Sequence, residues 1–189
     1  MLPPYWNIDF RLKIWKLIII INKRNMELIA IRGKKNGGKT TTTALVNNIL
    51  VQKHKANPIG TWLDKKLAPV NGDKGETHDF HSVLELNGKV IVIISAGDDA
   101  PWLEKEIREM EGRYRPVVMV ICARFRDDNY TMRMLQKSFK DLYENMRKKD
   151  NQVILQYTKD AEGKEKGDVK EKAEECVKKI LEIVNQEIV

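Results

Sequence analysis

Short runs of consecutive apolar residues alternate along this chain with stretches whose apolar residues recur every three or four positions. "LIAIRG", Leu28 to Gly33, is apolar on successive positions and bounded by glycine, which predicts a strand buried on both faces. In "TTTTALVNNILVQKH" Ala44, Leu45, Ile49 and Leu50 fall at helical spacing, so a helix is expected to start beside Lys39. "HSVLELNGKVIVII" places Asn87-Gly88 between two β-rich runs, the signature of a tight hairpin, and predicts antiparallel strands over about 80–86 and 89–94. "PVVMVICA", 116–123, and "QVILQYT", 152–158, read as two more buried strands. Pro101 opens a short helix ending near Gly112, and Leu135, Phe139, Leu142 and Met146 mark one face of a longer one. Asp168 with Glu171 has the form of a capping box ahead of the apolar stripe Val169, Ala173, Cys176, Val177, Ile180, Leu181 and Val184. Strands alternating with helices predict an α/β fold, a three-layer sandwich on a mostly parallel sheet with one antiparallel hairpin.

At 189 residues, the chain is sized for one well-buried core. Its net charge of +7 is unevenly placed, because residues 1–25 hold five Lys or Arg against one Asp and so carry +4 of it. The remaining body is close to balance, which gives no strong nucleic-acid signal. In "MLPPYWNIDFRLKIWKLIIIINKRN" the apolar run Leu17–Ile21 is far shorter than the roughly 18–20 residues of a spanning helix, so no transmembrane segment is expected. Residues 1–25 read instead as an accessory segment, an edge strand or a basic amphipathic stretch, with Met26 as an alternative start. Two cysteines, Cys122 and Cys176, offer no disulfide framework and fit reduced thiols in a cytoplasmic protein.

The chemistry concentrates in "GKKNGGKT", Gly33 to Thr40, set between the first strand and the first helix. The spacing is G-x-x-x-x-G-K-[ST], and strand–turn–helix is the context in which that string acts as a phosphate-binding loop. Glycines at 33, 37 and 38 let successive backbone N–H groups converge, and the helix N-terminus adds partial positive charge to the same spot. Gly33, Lys34, Lys35, Asn36, Gly37, Gly38, Lys39, Thr40 and Thr41 are the expected nucleotide-binding residues. Lys39 reaches the β- and γ-phosphates and serves catalysis; the Thr40 hydroxyl holds Mg²⁺.

With these residues in place, the chain resembles a P-loop NTPase over residues 26–189, so that 26–189 is expected to be a nucleotide-binding domain. In "VLELNGKVIVIISAGDDA" the layout is similar to Ras-like GTPases, where a hairpin precedes a D-x-x-G turn. Laid over D-T-A-G-Q, "ISAGD" puts Gly97 on the family's glycine and Asp98 on its water-orienting glutamine, while Ile94 stands where the family has aspartate. The guanine-reading N-K-x-D is replaced by "CARFRDD", and "YTKDA" at 157–161 has Ala161 in the aspartate's place, so ATP is favoured over GTP. Lys34, five residues before Lys39, resembles the signature lysine of MinD/ParA proteins, although Lys35 and Asn36 replace the usual glycines. "KKNGGKTT" is nearer to the K-N-S-G-K-T-T of MobB-like proteins.

With Ser95 where a Walker-B carboxylate usually sits, Asp98 is the expected second Mg²⁺ ligand and a catalytic residue, alongside a capping role for Asp98-Asp99 at the following helix. His78 and His81 flank Asp79, but no further ligand lies at zinc spacing. Arg124 and Arg126 are candidates for phosphate or second-substrate contacts, the polar stretch 63–77 for a switch or substrate loop, and Thr77 within it for a γ-phosphate sensor. The four tryptophans read as packing residues. The leading function is a small regulatory NTPase that binds and hydrolyses Mg²⁺-nucleoside triphosphate, with a protein partner or a homodimer among the expected partners. A nucleotide or small-metabolite kinase and a nucleotide-responsive binding module with little turnover are the alternatives.

Overall fold

A computed structural model describes residues 26–35, 37–62, 79–97, 99–124, 130–159 and 165–186. The strands are β1 (Glu27–Gly33), β2 (Asn57–Trp62), β3 (His81–Leu86), β4 (Lys89–Ile94), β5 (Val118–Arg124), β6 (Gln152–Ile154), β7 (Tyr157–Lys159) and β8 (Glu165–Gly167). The helices are α1 (Lys39–Gln52), α2 (Ala100–Tyr114), α3 (Tyr130–Ser138), α4 (Lys140–Lys148) and α5 (Val169–Asn185). Six strands form one sheet in the order β2-β3-β4-β5-β1-β6, and β7 with β8 forms a separate two-stranded ribbon. β4, β5, β1 and β6 pair in parallel, while β3 runs antiparallel to both β2 and β4. The fold is thus α/β with a mostly parallel sheet, as the alternation of patterns predicts.

Period-two alternation sends the two sides of each central strand into different cores. Ile29 and Ile31 of β1, Ile91 and Ile93 of β4, and Val118 and Val120 of β5 pack under α1 and α5. Leu28 and Ala30, Val92 and Ile94, and Met119 and Ile121 pack under α2, α3 and α4. All seven residues of β1 are buried, the property that its unbroken apolar run required. Asn87 and Gly88 take φ of 53° and 70°, both left-handed, which is the two-residue turn that Asn-Gly favours.

Three expectations need correction, and one strand has no counterpart among them. In β2, Pro58 and Gly60 break the β pattern, and the register with β3 shifts between those two residues. The single helix expected through Leu135–Met146 is two, because Phe139 leaves helical geometry at φ −137° and ψ 51°. "QVILQYT" is also two strands: β6 ends at Ile154, and Tyr157 opens the ribbon with β8. Asp168 does not close a capping box. Its carboxylate turns back and accepts from the Gln156 N–H at 2.9 Å, while its own N–H donates to the Gln156 carbonyl at 3.2 Å.

Candidate functional site

β1, β4, β5 and β6 end at one edge of the sheet, with Gly33 opposite Arg124, Ile94 opposite Ile121 and Arg32 opposite Ile154. In open parallel sheets ligands bind outside such carboxyl ends. The glycine-rich loop leaves β1 there. Its turn is closed by the Gly37 N–H donating to the Lys34 carbonyl at 3.1 Å. The same carbonyl accepts from Nζ of Lys39 at 2.9 Å, so the buried Lys39 side chain folds back along the loop. Gly38 caps α1 in the left-handed region at φ 85°, where a Cβ is costly.

The other two glycines, Gly33 and Gly37, also answer a demand of space. A Cβ on Gly37 would stand 2.1 Å from the Tyr157 hydroxyl oxygen, and one on Gly33 would stand 2.6 Å from the same atom.

After Lys39, the Thr40 hydroxyl donates to Oδ1 of Asp79 at 3.2 Å. The hydroxyls of Thr42 and Thr43 turn back onto the carbonyls of Gly38 and Thr40, at 2.9 and 2.8 Å, and settle the first turn of α1. Thr41 lines a cavity of about 820 Å³ beside the loop, together with Gly37, Gly38, Leu45, Tyr157 and Val169. The Tyr157 hydroxyl accepts from the Lys34 N–H and donates to the Gly37 carbonyl, both at 3.0 Å, and the Lys34 ammonium lies 5.0 Å from the ring centroid. Lys34 and Lys35 are exposed.

In the sequence Asp79 stands out only as the neighbour of His78 and His81. Because β3 is antiparallel, its beginning lies at the edge where the parallel strands end: His81 faces Ile94. The residues just before β3 therefore reach the carboxyl edge, and Asp79 is among them. Ser95 locks this corner. Its N–H donates to the Phe80 carbonyl at 2.9 Å, its hydroxyl accepts from the Phe80 N–H at 2.6 Å, and that oxygen stands 3.5 Å from Asp79 Oδ1. The hairpin prediction contained the signal, since any strand pairing antiparallel to β4 must start at that end.

Beyond Ser95, the chain is laid over β5. A Cβ on Gly97 would stand 1.7 Å from the Cys122 carbonyl oxygen, and the Gly97 carbonyl accepts a hydrogen bond from the Thr131 hydroxyl. Asp99 caps α2, its Oδ1 accepting from the Trp102 N–H at 3.1 Å. Asp98 lies outside the described residues, as do Asn36, Thr77, His78, Arg126 and the whole 63–77 stretch. Arg124 is exposed at the end of β5, in register with Gly33. His81 turns away from the loop into the α2 side: its Nδ1 lies 3.3 Å from Glu106 and its ring meets Trp102 edge-on at 5.1 Å. Among the described residues, no helix is long and apolar enough to cross a membrane. Set against protein-family models, curated proteins and solved structures, the chain matches none of them.

Proposed function

We propose that this chain binds a nucleoside triphosphate with Mg²⁺ at the loop of residues 33–41 and hydrolyses it as a small regulatory switch, on a P-loop NTPase fold. The observation that carries the reading is the pairing of Thr40 with Asp79 one residue beyond Lys39, at the carboxyl edge of the sheet. A hydroxyl and a carboxylate oxygen form a hard donor set that suits Mg²⁺, which is commonly held by one or two protein oxygens, water and the substrate's phosphates. Thr40 and Asp79 would hold the ion, whose charge would offset that of the phosphates.

The chain's own groups account for the rest. The first N–H groups of an α-helix point out of its N-terminus, and at the start of α1 they would offer donors and positive potential to phosphate oxygens. Lys39 adds a full charge, and its present bond to the Lys34 carbonyl keeps that ammonium at the loop. Hydrolysis moves the γ-phosphoryl group from the bridging oxygen to water, and protein groups assist it mainly by position and charge. The cavity walled by Thr41, Leu45, Tyr157 and Val169, and also by Asp168, Lys170, Glu171 and Glu174, adjoins Gly37 and Gly38; its carboxylates favour the uncharged nucleoside portion there over a phosphate.

Calorimetry with Mg·ATP and Mg·GTP, paired with a phosphate-release assay, tests the proposal. Saturable binding that requires Mg²⁺ and is weakened at least about tenfold in Lys39→Ala is the expected result. If neither nucleotide binds at millimolar concentration, the reading is wrong.

A further inference from the structure

One phenol joins the loop to the cavity. Tyr157 stands at the start of β7, where the chain has left the main sheet for the small ribbon. Its hydroxyl satisfies the N–H of Lys34 and the carbonyl of Gly37, the two residues that close the loop's turn on themselves. Its ring forms part of the cavity wall. The ribbon that carries it has three paired positions and is closed at its base by the reciprocal bonds between Gln156 and Asp168, which sits at the head of α5. Gly167, also on the cavity wall, lies beside the ring: a Cβ there would make ordinary van der Waals contact, 3.4 Å from the tyrosine ring and 3.5 Å from the Gly37 carbonyl oxygen.

We propose that Tyr157 is a positioning residue that couples the cavity to the glycine-rich loop, so that a nucleoside seated in the cavity sharpens the loop's grip on phosphate. This rests on the nucleotide-binding reading above. The physical basis is that the ring cannot shift without disturbing two hydrogen bonds to the loop backbone. Nor can the loop reshape around phosphate without moving the ring, because Gly33 and Gly37 leave no slack beside the hydroxyl. Occupancy of either subsite therefore biases the other, and the bias is reciprocal. Lys34 reports on the same joint, its ammonium resting near the ring while its carbonyl holds Lys39.

The test uses Tyr157→Phe, which removes one oxygen and keeps the ring, and compares Mg·ATP and Mg·GTP with inorganic Mg·tripolyphosphate, which has no nucleoside. The preference for the better nucleotide over tripolyphosphate should fall about tenfold in the variant, within the range of ordinary coupling. Affinity for tripolyphosphate should change by less than about threefold, since the loop's own donors remain. An unchanged preference overturns the coupling, and so does an equal weakening of all three ligands with a matching drop in melting temperature, which marks Tyr157 as a general support. Wild-type protein that binds tripolyphosphate but shows no preference for a nucleotide also overturns it while sparing the phosphate site. If wild-type protein binds none of the three, the nucleotide-binding reading fails and takes the coupling with it.

Discussion

The hydroxyl of Thr40 and the carboxylate of Asp79 are 39 residues apart in sequence and 3.2 Å apart in space. Thr40 comes from the first turn of a helix, Asp79 from the chain just ahead of an antiparallel strand. Only the reversal of β3 within an otherwise parallel neighbourhood brings them together. This corner, rather than the glycine-rich string alone, gives the site an acidic oxygen beside its hydroxyl.

Lys39→Ala and Thr40→Ala should each weaken Mg²⁺-nucleotide binding at least about tenfold while circular dichroism stays unchanged. Lys39 is anchored by one bond to the Lys34 carbonyl, and Thr40 is only half-buried, so neither removes much core. Loss of one charge-assisted contact, to phosphate for Lys39 and to the ion for Thr40, costs about 1.5–3 kcal/mol and weakens affinity roughly 10- to 150-fold on its own. Titration calorimetry reads this directly; wild-type affinity in both variants would remove the loop from the site.

Much of this was legible in the residues, and the rest failed for identifiable reasons. β1, the Asn87-Gly88 turn and the stripe of α5 follow from local pattern, because burial on two faces, a left-handed dipeptide and helical periodicity each act within a few residues. Phe139 broke a helix whose apolar spacing looked continuous, since its position is set by packing among α2 and α3 residues and not by propensity. Tyr157 looked like the end of a buried strand. Its role depends on partners about 120 residues away, at Lys34 and Gly37, which no local pattern encodes.

Gly97 and Gly112 should respond oppositely to alanine. At Gly97 the new methyl lands 1.7 Å from the Cys122 carbonyl oxygen, a backbone atom inside a buried strand, so stability should fall by about 3 kcal/mol or more. At Gly112, within α2, nothing lies within 4 Å of the new atom, and the helix should gain about 0.8–1 kcal/mol from the lost backbone freedom. Chemical denaturation of the two variants side by side checks both signs.

Cys176 should resist alkylation in the folded protein. It is fully buried, and burial, the main cause, pushes its thiol well above the usual range; Cys122 raises it further. Because the folded state holds the proton more tightly, the stability that this thiol contributes is complete below its ordinary value of 9.0 and is lost as pH climbs beyond it. Cys122 is buried too. Mass spectrometry after iodoacetamide at pH 8 should find neither cysteine modified in native protein and both modified in denaturant. Rapid native labelling of Cys176 would mean that α5 opens readily.

The final prediction sets two carboxylates against each other. Asp98 is the acid expected from the sequence as metal ligand and catalytic residue, and it lies outside the described residues. Asp79 is the acid that stands beside Thr40. Asp79→Asn keeps a carbonyl oxygen able to accept from Thr40 and removes only the charge, so the fold and the Ser95 corner should persist. If Asp79 serves the ion, the Mg²⁺ concentration needed for half-maximal nucleotide binding should rise at least tenfold, a change of about 1.4 kcal/mol. Asp98→Asn should leave that concentration within about twofold. The two acids can differ again in turnover, because orienting the attacking water is a separate task from holding the ion. A tenfold Mg²⁺ effect confined to Asp98→Asn would move the metal site across the sheet edge, to the loop that crosses β5 at Gly97, and would leave Asp79 as a polar brace between α1 and β3.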